Sequence, residues 1–225
     1  MKTFLKLLEE SPVFSSLTPQ EMDEFAGMAL KRSYEKNEKI ILYGEVWSYL
    51  FIIAKGTVEA NKESSEGRNL YVATFKRGEL FWGLSFFLDD APMPVTLETN
   101  DGCVLYMWKR ETIHPFLLEH GKVSWEISRL MADRMLRASE IVQGLAFQPV
   151  VGRLANLLLD HFQGVESKPV ARSLTLDEMA ARIGSTREMV CRALYSFSDK
   201  KLIEVTRTEF VLTDLEGLAQ LSKHD

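Results

Sequence analysis

Two arginines and a glutamate lie close together in the segment GSTREMVCRAL, residues 184–194. Arg187 and Arg192 are five residues apart, which places them within about 140° of each other around a helix of roughly 3.6 residues per turn. Glu188 and Arg192 stand at i and i+4 and therefore share a helix face. An arginine can pair with guanine O6 and N7, and a glutamate can accept a hydrogen bond from cytosine N4. The same spacing is also that of an ordinary solvated ion pair.

The flanking residues predict that this segment is the second helix of a helix-turn-helix motif. The motif needs a small residue where its helices approach, a flexible turn residue and an apolar residue that returns to the core. Ala180, Gly184 and Val190 meet these needs, and Ile183 and Leu194 complete the buried face. The second helix then presents its other side chains outward. We predict a DNA-binding set of Ser185, Thr186, Arg187, Glu188 and Arg192.

Three capping boxes predict where the helices of this C-terminal region begin. In a capping box, the N-cap hydroxyl accepts from the backbone of the third helical residue, whose carboxylate reaches back. The predicted pairs are Thr175 with Glu178, Ser185 with Glu188, and Thr213 with Glu216. Between the second and third boxes, IEVTRTEFVLTD predicts a β-hairpin, so the motif is a winged helix-turn-helix.

Positive charge is concentrated near the predicted second helix. The whole chain carries a formal net charge of −5. From Arg182 to Arg207 there are six basic and three acidic residues, whereas residues 149–225 together hold ten basic and eleven acidic ones. Bulk electrostatic attraction therefore does not hold this region on DNA, and a local basic surface has to do so.

The preceding sequence predicts a β-rich domain followed by a long helix. Thr18, Pro19 and Glu21 predict the start of an N-terminal helix. From residue 33 to residue 108, short β-rich runs separated by glycines predict an antiparallel barrel or jelly roll. The expected domains are residues 1–116, a helix over 117–147 and a C-terminal domain over 148–225.

The predicted long helix carries a seam at heptad spacing. Its members are Ile127, Met131, Arg134, Ala138, Ile141 and Leu145. Such a seam can pack on the helix's own domain or meet the same helix of a second copy. We favour the second interpretation and predict a dimer interface there.

Several protein classes are disfavoured by what the sequence lacks. Cys103 and Cys191 are 88 residues apart and stand in no metal-binding pattern, so neither a disulfide framework nor a metal site is expected. No stretch approaches the roughly 20 apolar residues of a membrane span, and the N-terminus is not that of a signal peptide. We find no nucleophile–base pair and no phosphate-cradling glycine loop. A cytoplasmic protein that is not an enzyme is expected.

Four stretches resemble the cyclic-AMP receptor protein / fumarate-nitrate regulator (CRP/FNR) superfamily of bacterial transcription factors. They are YLFIIAKGTVEA, FKRGELFWGLSFF, RASEIVQGLAFQPVVGRLANLLL and LTLDEMAARIGSTREMVCRALYSFSDKKLIE. The resemblance implies an α+β chain with an N-terminal β-roll sensor, a long dimerisation helix and a C-terminal winged helix. It also implies a homodimer on palindromic double-stranded DNA, with RNA polymerase as a partner. Arg187 and Arg192 would contact guanines and Glu188 a cytosine, in a TGTGA-like or TTGA-like half-site.

The chain departs from this family where a cyclic nucleotide would bind. Gly83 stands where the ribose-binding glutamate is expected, and Met93 and Pro94 replace the phosphate-binding Arg and its hydroxyl partner. Burying a phosphate without a cation is costly, so cyclic AMP is disfavoured as the effector. The N-terminal cysteine set of the iron–sulfur branch is absent from the sequence. A kinase-type cyclic-nucleotide-binding regulatory subunit, the rival class, would not need the winged helix.

The expected effector pocket is mainly apolar and aromatic. We assign to it Phe81, Trp82, Gly83, Leu84, Met93, Arg134 and Ala138, with Phe86 and Phe87 in the same wall. These side chains can simply fill the roll, or they can surround a flat apolar ligand such as haem, which would make the protein a gas-sensing regulator. A regulator without any effector is a third option. His114 and His120 are expected to be junction or surface residues rather than axial ligands.

Overall fold

A computed structural model describes residues 2–65, 67–162, 168–206 and 208–222. The chain divides into two compact units. The first contains Met1–Lys62 and Val72–Met135, and the second contains Glu63–Tyr71 and Leu136–Asp225. Within the described ranges, no helix is both long enough and apolar enough to cross a membrane.

The N-terminal part of the chain, most of which is in the first unit, is a β-roll that begins with two helices. Helix α1 is Lys2–Glu9, a 3₁₀ turn covers Pro12–Phe14, and α2 is Pro19–Gly27. The strands are β1 Leu30–Tyr34, β2 Lys39–Ile41, β3 Tyr49–Lys55, β4 Val58–Glu63, β5 Asn69–Phe75, β6 Leu80–Trp82, β7 Thr96–Thr99 and β8 Cys103–Lys109. They form two four-stranded sheets, in the orders β1-β8-β3-β6 and β2-β7-β4-β5. This is the antiparallel roll that the glycine-separated β runs predict.

Strand β3 is apolar at every position from 50 to 53 because both of its faces are covered. Leu50 and Ile52 point into a cluster with α1 and α2, whereas Phe51 and Ile53 point between the two sheets. Alternate residues of a strand face opposite sides of the sheet, so a strand covered on both sides must be apolar throughout. All four side chains are fully buried.

The long helix predicted over 117–147 is shorter than expected. Helix α3 is Arg110–Glu119 and α4 is Gly121–Phe147, with His120 between them in a non-helical conformation. The chain therefore breaks just inside the predicted helix. Ser124 donates to the Leu117 carbonyl across this break, with an oxygen–oxygen distance of 2.6 Å.

The dimer seam stays a prediction, and the structure turns some of its members toward their own chain. Ile127 is only 2% exposed and belongs to the core shared with α1 and α2, and Met131 packs against the same core. Arg134 contacts aromatic rings of the roll. Leu145 lies near Gly184 but is still 38% exposed. Of the other predicted members, Ala138 is exposed and Ile141 is half-buried. A heptad pattern alone does not tell which side of a helix its own domain covers.

The second unit contains five helices or helix segments and a small sheet within the described residues. After the end of α4 come α5 Val150–His161, β9 Val170–Ala171, α6 Leu176–Arg182, α7 Arg187–Asp199, β10 Ile203–Val205, β11 Glu209–Leu212 and α8 Leu215–Ser222. Strands β10 and β11 form the predicted hairpin, and β9 adds a third strand in the order β10-β11-β9. Arg207, part of the predicted basic surface, lies outside the described residues.

Candidate functional site

The turn between α6 and α7 has the geometry that a helix-turn-helix requires. Gly184 adopts a φ of +59°, a left-handed conformation that favours glycine. The Ser185 amide donates to the Ala180 carbonyl over 2.9 Å and closes the turn. Ala180, Ile183, Val190 and Leu194 are all buried. The predicted buried face of the motif is therefore confirmed.

The capping prediction holds for α6 and fails for the two later helices. Thr175 and Glu178 form the predicted box, as do Thr18 and Glu21 in α2. At α7, the N-cap is Thr186 rather than Ser185, and its hydroxyl oxygen accepts from the Met189 amide over 3.3 Å. The Ser185 prediction is therefore wrong by one residue, because the turn extends one residue further before α7 begins.

The predicted box at the last helix is also wrong. The Thr213 hydroxyl donates to the Lys201 carbonyl over 2.6 Å, so it is turned away from α8. Asp214 stands closer to the helix, and its carboxylate accepts from the Gly217 amide over 2.8 Å. An aspartate adjacent to a threonine competes for the capping role because both residue types serve well as N-caps.

Five residues at the start of α7 form an exposed surface that we call the reading face: Thr186, Arg187, Glu188, Met189 and Arg192. Four of them belong to the predicted DNA-binding set, and Met189 is an addition. The predicted Ser185 is half-buried in the turn. On the opposite side of α7, Val190, Ala193 and Phe197 are buried. The helix is therefore held by its apolar side while the charged side remains open to solvent.

Each arginine of the reading face is paired with a carboxylate. Arg187 Nη1 lies 3.1 Å from Asp177 Oδ2 of α6, and Arg192 donates to Glu188 one turn earlier. All four side chains are more than 60% exposed. Exposed ion pairs contribute about 0–1 kcal/mol and are screened by salt. The guanidinium groups can therefore exchange these carboxylates for base edges or phosphates at small cost.

Arg153 is a positioning residue that the sequence analysis missed. Its Nε donates to the Ile183 carbonyl over 2.7 Å, and its Nη1 donates to the carbonyls of Gly144 and Gln148. Burial lowers the pKa of the Arg153 guanidinium. This one side chain ties the C-terminal end of α4 to the end of α6. A signal existed in the sequence, since Arg153 is the one charged residue of the mainly apolar stretch VVGRLANLLL.

At Gly83 the roll has no room for the polar side chain of a cyclic-nucleotide site. A Cβ atom placed on Gly83 would lie 1.7 Å from the Trp47 carbonyl oxygen, so no side chain fits there. Met93 is buried in the cluster between the two sheets, and Pro94 is exposed. Leu84 is half-buried in a 3₁₀ turn, Leu84–Phe86, that follows Gly83.

Three aromatic residues of the roll surround the guanidinium of Arg134. Its central carbon lies 4.3 Å from the ring centroid of Trp82, 5.0 Å from that of Phe75 and 5.3 Å from that of Phe81. Nη2 donates to the Leu80 carbonyl. The structure therefore brings together Phe81, Trp82 and Arg134 of the predicted pocket, and adds Phe75.

The histidine expected near the helix start is engaged by its own chain. His120 stacks on Phe116 with a centroid distance of 3.8 Å. Its Nδ1 lies 2.8 Å from the Phe116 carbonyl oxygen, and its Nε2 lies 3.2 Å from Glu21 Oε1. Both ring nitrogens are thus in hydrogen bonds, and His120 is not poised as an axial ligand.

The remaining residue types that could bind a metal do not cluster in the part of the chain that the structure describes. No group of three or more His, Cys, Asp or Glu residues is placed there to hold a metal ion. Cys103 and Cys191 are free cysteines. Burial, with a smaller contribution from the Asp101 charge, raises the pKa of the Cys103 thiol to about 11, so this thiol is protonated near neutral pH.

Comparisons with known protein families match both parts of the chain. A model of the cyclic nucleotide-binding domain matches residues 31–120, and a model of the Crp-like helix-turn-helix domain matches residues 152–221. Between them, the two models match most of the sequence.

Related proteins of similar length extend the match over the whole chain. The sequence is 23% identical over 223 residues to a CRP-like cAMP-activated global transcriptional regulator of Mycobacterium tuberculosis, a match that covers 97% of this chain and 99% of that protein. It is 27% identical over 202 residues to the cAMP-activated global transcriptional regulator Vfr of Pseudomonas aeruginosa, with coverage of 83% and 90%.

A solved structure supports the fold. The c-di-GMP responsive global regulator CLP of Xanthomonas campestris matches with a TM-score of 0.76 and 20% identity, over 87% of this chain and 99% of that one. Likeness at this identity concerns the fold alone.

Proposed function

The chain belongs to the CRP/FNR family of transcriptional regulators, and we propose that it binds a two-fold symmetric operator as a homodimer. One observation carries the proposal. Arg187, Glu188 and Arg192 are exposed at the start of one helix whose opposite side is anchored in the core. In a helix-turn-helix protein the N-terminal residues of this helix contact base edges in the major groove.

The chemistry of the three side chains indicates what they read. Each guanidinium can pair with guanine O6 and N7, and the Glu188 carboxylate can accept from cytosine N4. We propose that Thr186 and the hydroxyl of the half-buried Ser185 contact phosphate oxygens, since the N-terminus of a helix attracts anions. We therefore propose TGTGA-like or TTGA-like half-sites, about one DNA turn apart.

The dimer contact that we propose uses a different face of α4 from the one the sequence predicts. Trp125, Met135 and Val142 are 66%, 68% and 65% exposed, and Ser128, Ala132, Ser139 and Ala146 are also exposed. Together these residues follow a 3-4 heptad spacing, the geometry of a coiled-coil seam. Burying such large apolar side chains against a second α4 removes apolar surface from water, which favours association.

The roll geometry supports an effector other than cyclic AMP. Gly83 has backbone where a ribose-binding side chain would need space, and Met93 and Pro94 offer no cation to a phosphate. We propose that any effector binds at the predicted pocket around Phe81, Trp82 and Arg134. We also propose that the protein acts in the cytoplasm, where it binds at promoters together with RNA polymerase. His120 does not support the alternative of a haem-binding regulator, because both of its ring nitrogens are already in hydrogen bonds.

Selection of bound duplexes from a random library tests operator recognition. The wild-type chain should enrich a palindrome whose half-sites are separated by about 10–10.5 base pairs. Arg187→Ala combined with Arg192→Ala should lose the sequence preference while retaining the fold. Enrichment without two-fold symmetry, or an unchanged motif in the double variant, would contradict the proposal.

Sedimentation of the free protein tests the α4 contact. Met135→Asp and Val142→Asp should each shift the mass from dimer to monomer, because they place a charge in the proposed seam. Lys122→Asp, at an exposed position outside that seam, is the control and should remain dimeric. A wild-type monomer at high concentration would rule out the proposed assembly.

A further inference from the structure

Three aromatic rings and one backbone carbonyl surround the guanidinium of Arg134. We call this group the aromatic cage, and its members are Phe75, Phe81, Trp82 and the Leu80 carbonyl oxygen. Phe75 ends strand β5, whereas Phe81 and Trp82 belong to β6. Their rings also contact each other, with centroid distances of 4.4 Å for Phe75–Phe81 and 6.1 Å for Phe81–Trp82. The roll itself therefore builds the cage, and Arg134 enters it from helix α4.

The chemistry of the cage selects a cation. The face of an aromatic ring carries negative charge density and attracts ammonium and guanidinium groups. Three such faces and a carbonyl acceptor converge on one point. A phosphate or carboxylate at the same point would be repelled by all four groups. A guanidinium suits the place well because it is planar, weakly hydrated and rich in donors.

The cage also removes its occupant from water. Arg134 Nη1 is inaccessible to solvent, and Phe75 and Leu80 are buried. Cation–aromatic attraction strengthens when the cation is desolvated. Arg134 therefore does not simply lie along an apolar surface with its charged group in water.

We propose that the aromatic cage is a cation-binding site and that Arg134 fills it as a ligand supplied by the chain itself. The class of free ligand that fits is an alkylguanidinium or a quaternary ammonium ion. The inference deepens the proposed effector pocket by naming the charge of what it takes. It does not depend on DNA recognition.

Tethering determines how a free cation and Arg134 compete. A side chain held next to its site acts at a high effective concentration, on the order of millimolar for a flexible connection. A free cation must exceed that value to enter the wild-type cage. Its entry would release Arg134 and with it the contact between α4 and strand β6. The site therefore links the binding of a cation to the attachment of α4.

The test is to remove the Arg134 side chain and to measure whether a free cation binds in its place. Ethylguanidinium reproduces the end of the missing side chain, and ethylurea has nearly the same shape without the charge. In calorimetry, Arg134→Ala should bind ethylguanidinium at least tenfold more tightly than the wild type does, and at least tenfold more tightly than it binds ethylurea. Acetate should not bind. Equal affinity for ethylguanidinium and ethylurea would overturn the proposal, because it would indicate a cavity that ignores charge.

A second variant locates the binding. Arg134→Ala combined with Trp82→Leu should lose the ethylguanidinium affinity, whereas Arg134→Ala combined with Tyr43→Leu, at an exposed aromatic residue of the roll outside the cage, should keep it. Unchanged affinity in the Trp82 variant would place the cation elsewhere and overturn the assignment.

If Arg134→Ala does not fold, variants that keep a long side chain at this position provide a second test. Arg134→Lys retains a cation, and Arg134→Gln retains length without charge. Urea denaturation should rank the midpoints as wild type above Arg134→Lys above Arg134→Gln. Equal midpoints for the two variants would contradict recognition of charge. Operator binding is measured in parallel, so that loss of DNA recognition with intact cation binding counts against the proposed function alone.

Discussion

The Arg187 guanidinium lies 3.1 Å from the Asp177 carboxylate, so the first arginine of α7 is held by the helix that precedes it. Arg192 is held in the same way by Glu188. In the free protein the positive charge of the reading face is thus largely offset by neighbouring carboxylates. These pairs cost little to break because they are exposed.

Removal of Arg187 should change specificity more than it changes fold. Arg187→Ala is expected to reduce discrimination at one base pair by roughly 1–3 kcal/mol, measured by competition gel shifts with single-base operator variants. Asp177→Asn is the matched control, since it frees Arg187 without removing it and should leave the preference at that base pair intact. If both variants kept wild-type discrimination, Arg187 would have no reading role.

A side chain at Gly184 should strain the turn of the helix-turn-helix. A Cβ there would meet Leu145 Cδ2 at 2.5 Å, and the φ of +59° is strained for alanine. Leu145 is 38% exposed and its side chain can move aside, so the cost comes from the backbone. Gly184→Ala is therefore expected to lower the free energy of unfolding by about 1–3 kcal/mol. Urea denaturation measures it.

Gly144→Ala provides the control for that substitution. Gly144 is inside α4, and its added Cβ would make an ordinary 3.6 Å contact with Gln148. Alanine is the better helix former by roughly 0.5–1 kcal/mol, so this variant should be slightly more stable than the wild type. A stabilising Gly184→Ala would show that the turn is formed differently.

The N-cap of α7 can be identified by two neighbouring substitutions. Thr186→Ala removes the hydroxyl that accepts from the Met189 amide and should cost about 0.5–2 kcal/mol of stability. Ser185→Ala should cost much less, because Ser185 is not the cap. Thermal unfolding of the two variants checks the order. The reverse order would restore the capping box that the sequence predicts.

The buried half of the helix-turn-helix could be predicted from sequence because it depends on local rules. Ala180, Gly184 and Val190 are fixed by spacing within one motif, and the structure confirms them. The cap of α7 could not be placed, since Ser185 and Thr186 are both good N-caps and only the length of the turn decides between them.

The two faces of α4 could not be assigned from sequence for a different reason. Ile127 and Met135 both stand at heptad positions, but on seams that point in different directions. Which seam is covered depends on where α1 and α2 pack, and that is a long-range contact. Three members of the aromatic cage, Phe81, Trp82 and Arg134, are in the predicted pocket. Phe75 was missed, because it is far from Arg134 in sequence and only the roll brings the two together.

The C-terminal unit should lose stability in mild acid because of His161. Burial, and then the positive charge of Arg182, lower the pKa of the His161 imidazole below its usual 6.5; the ring nitrogen Nε2 lies 2.6 Å from Ser173 Oγ. As the pH falls below about 6.5, the unfolded chain takes up a proton that the folded chain does not. The free energy of unfolding therefore decreases until the pH passes the folded pKa, and it is highest above 6.5. His161→Gln keeps a polar side chain but cannot titrate, so the difference in stability between this variant and the wild type should vary with pH only in that window. Denaturation midpoints at pH 5, 6, 7 and 8 measure it, and a difference that is flat across the series would remove His161 as the cause.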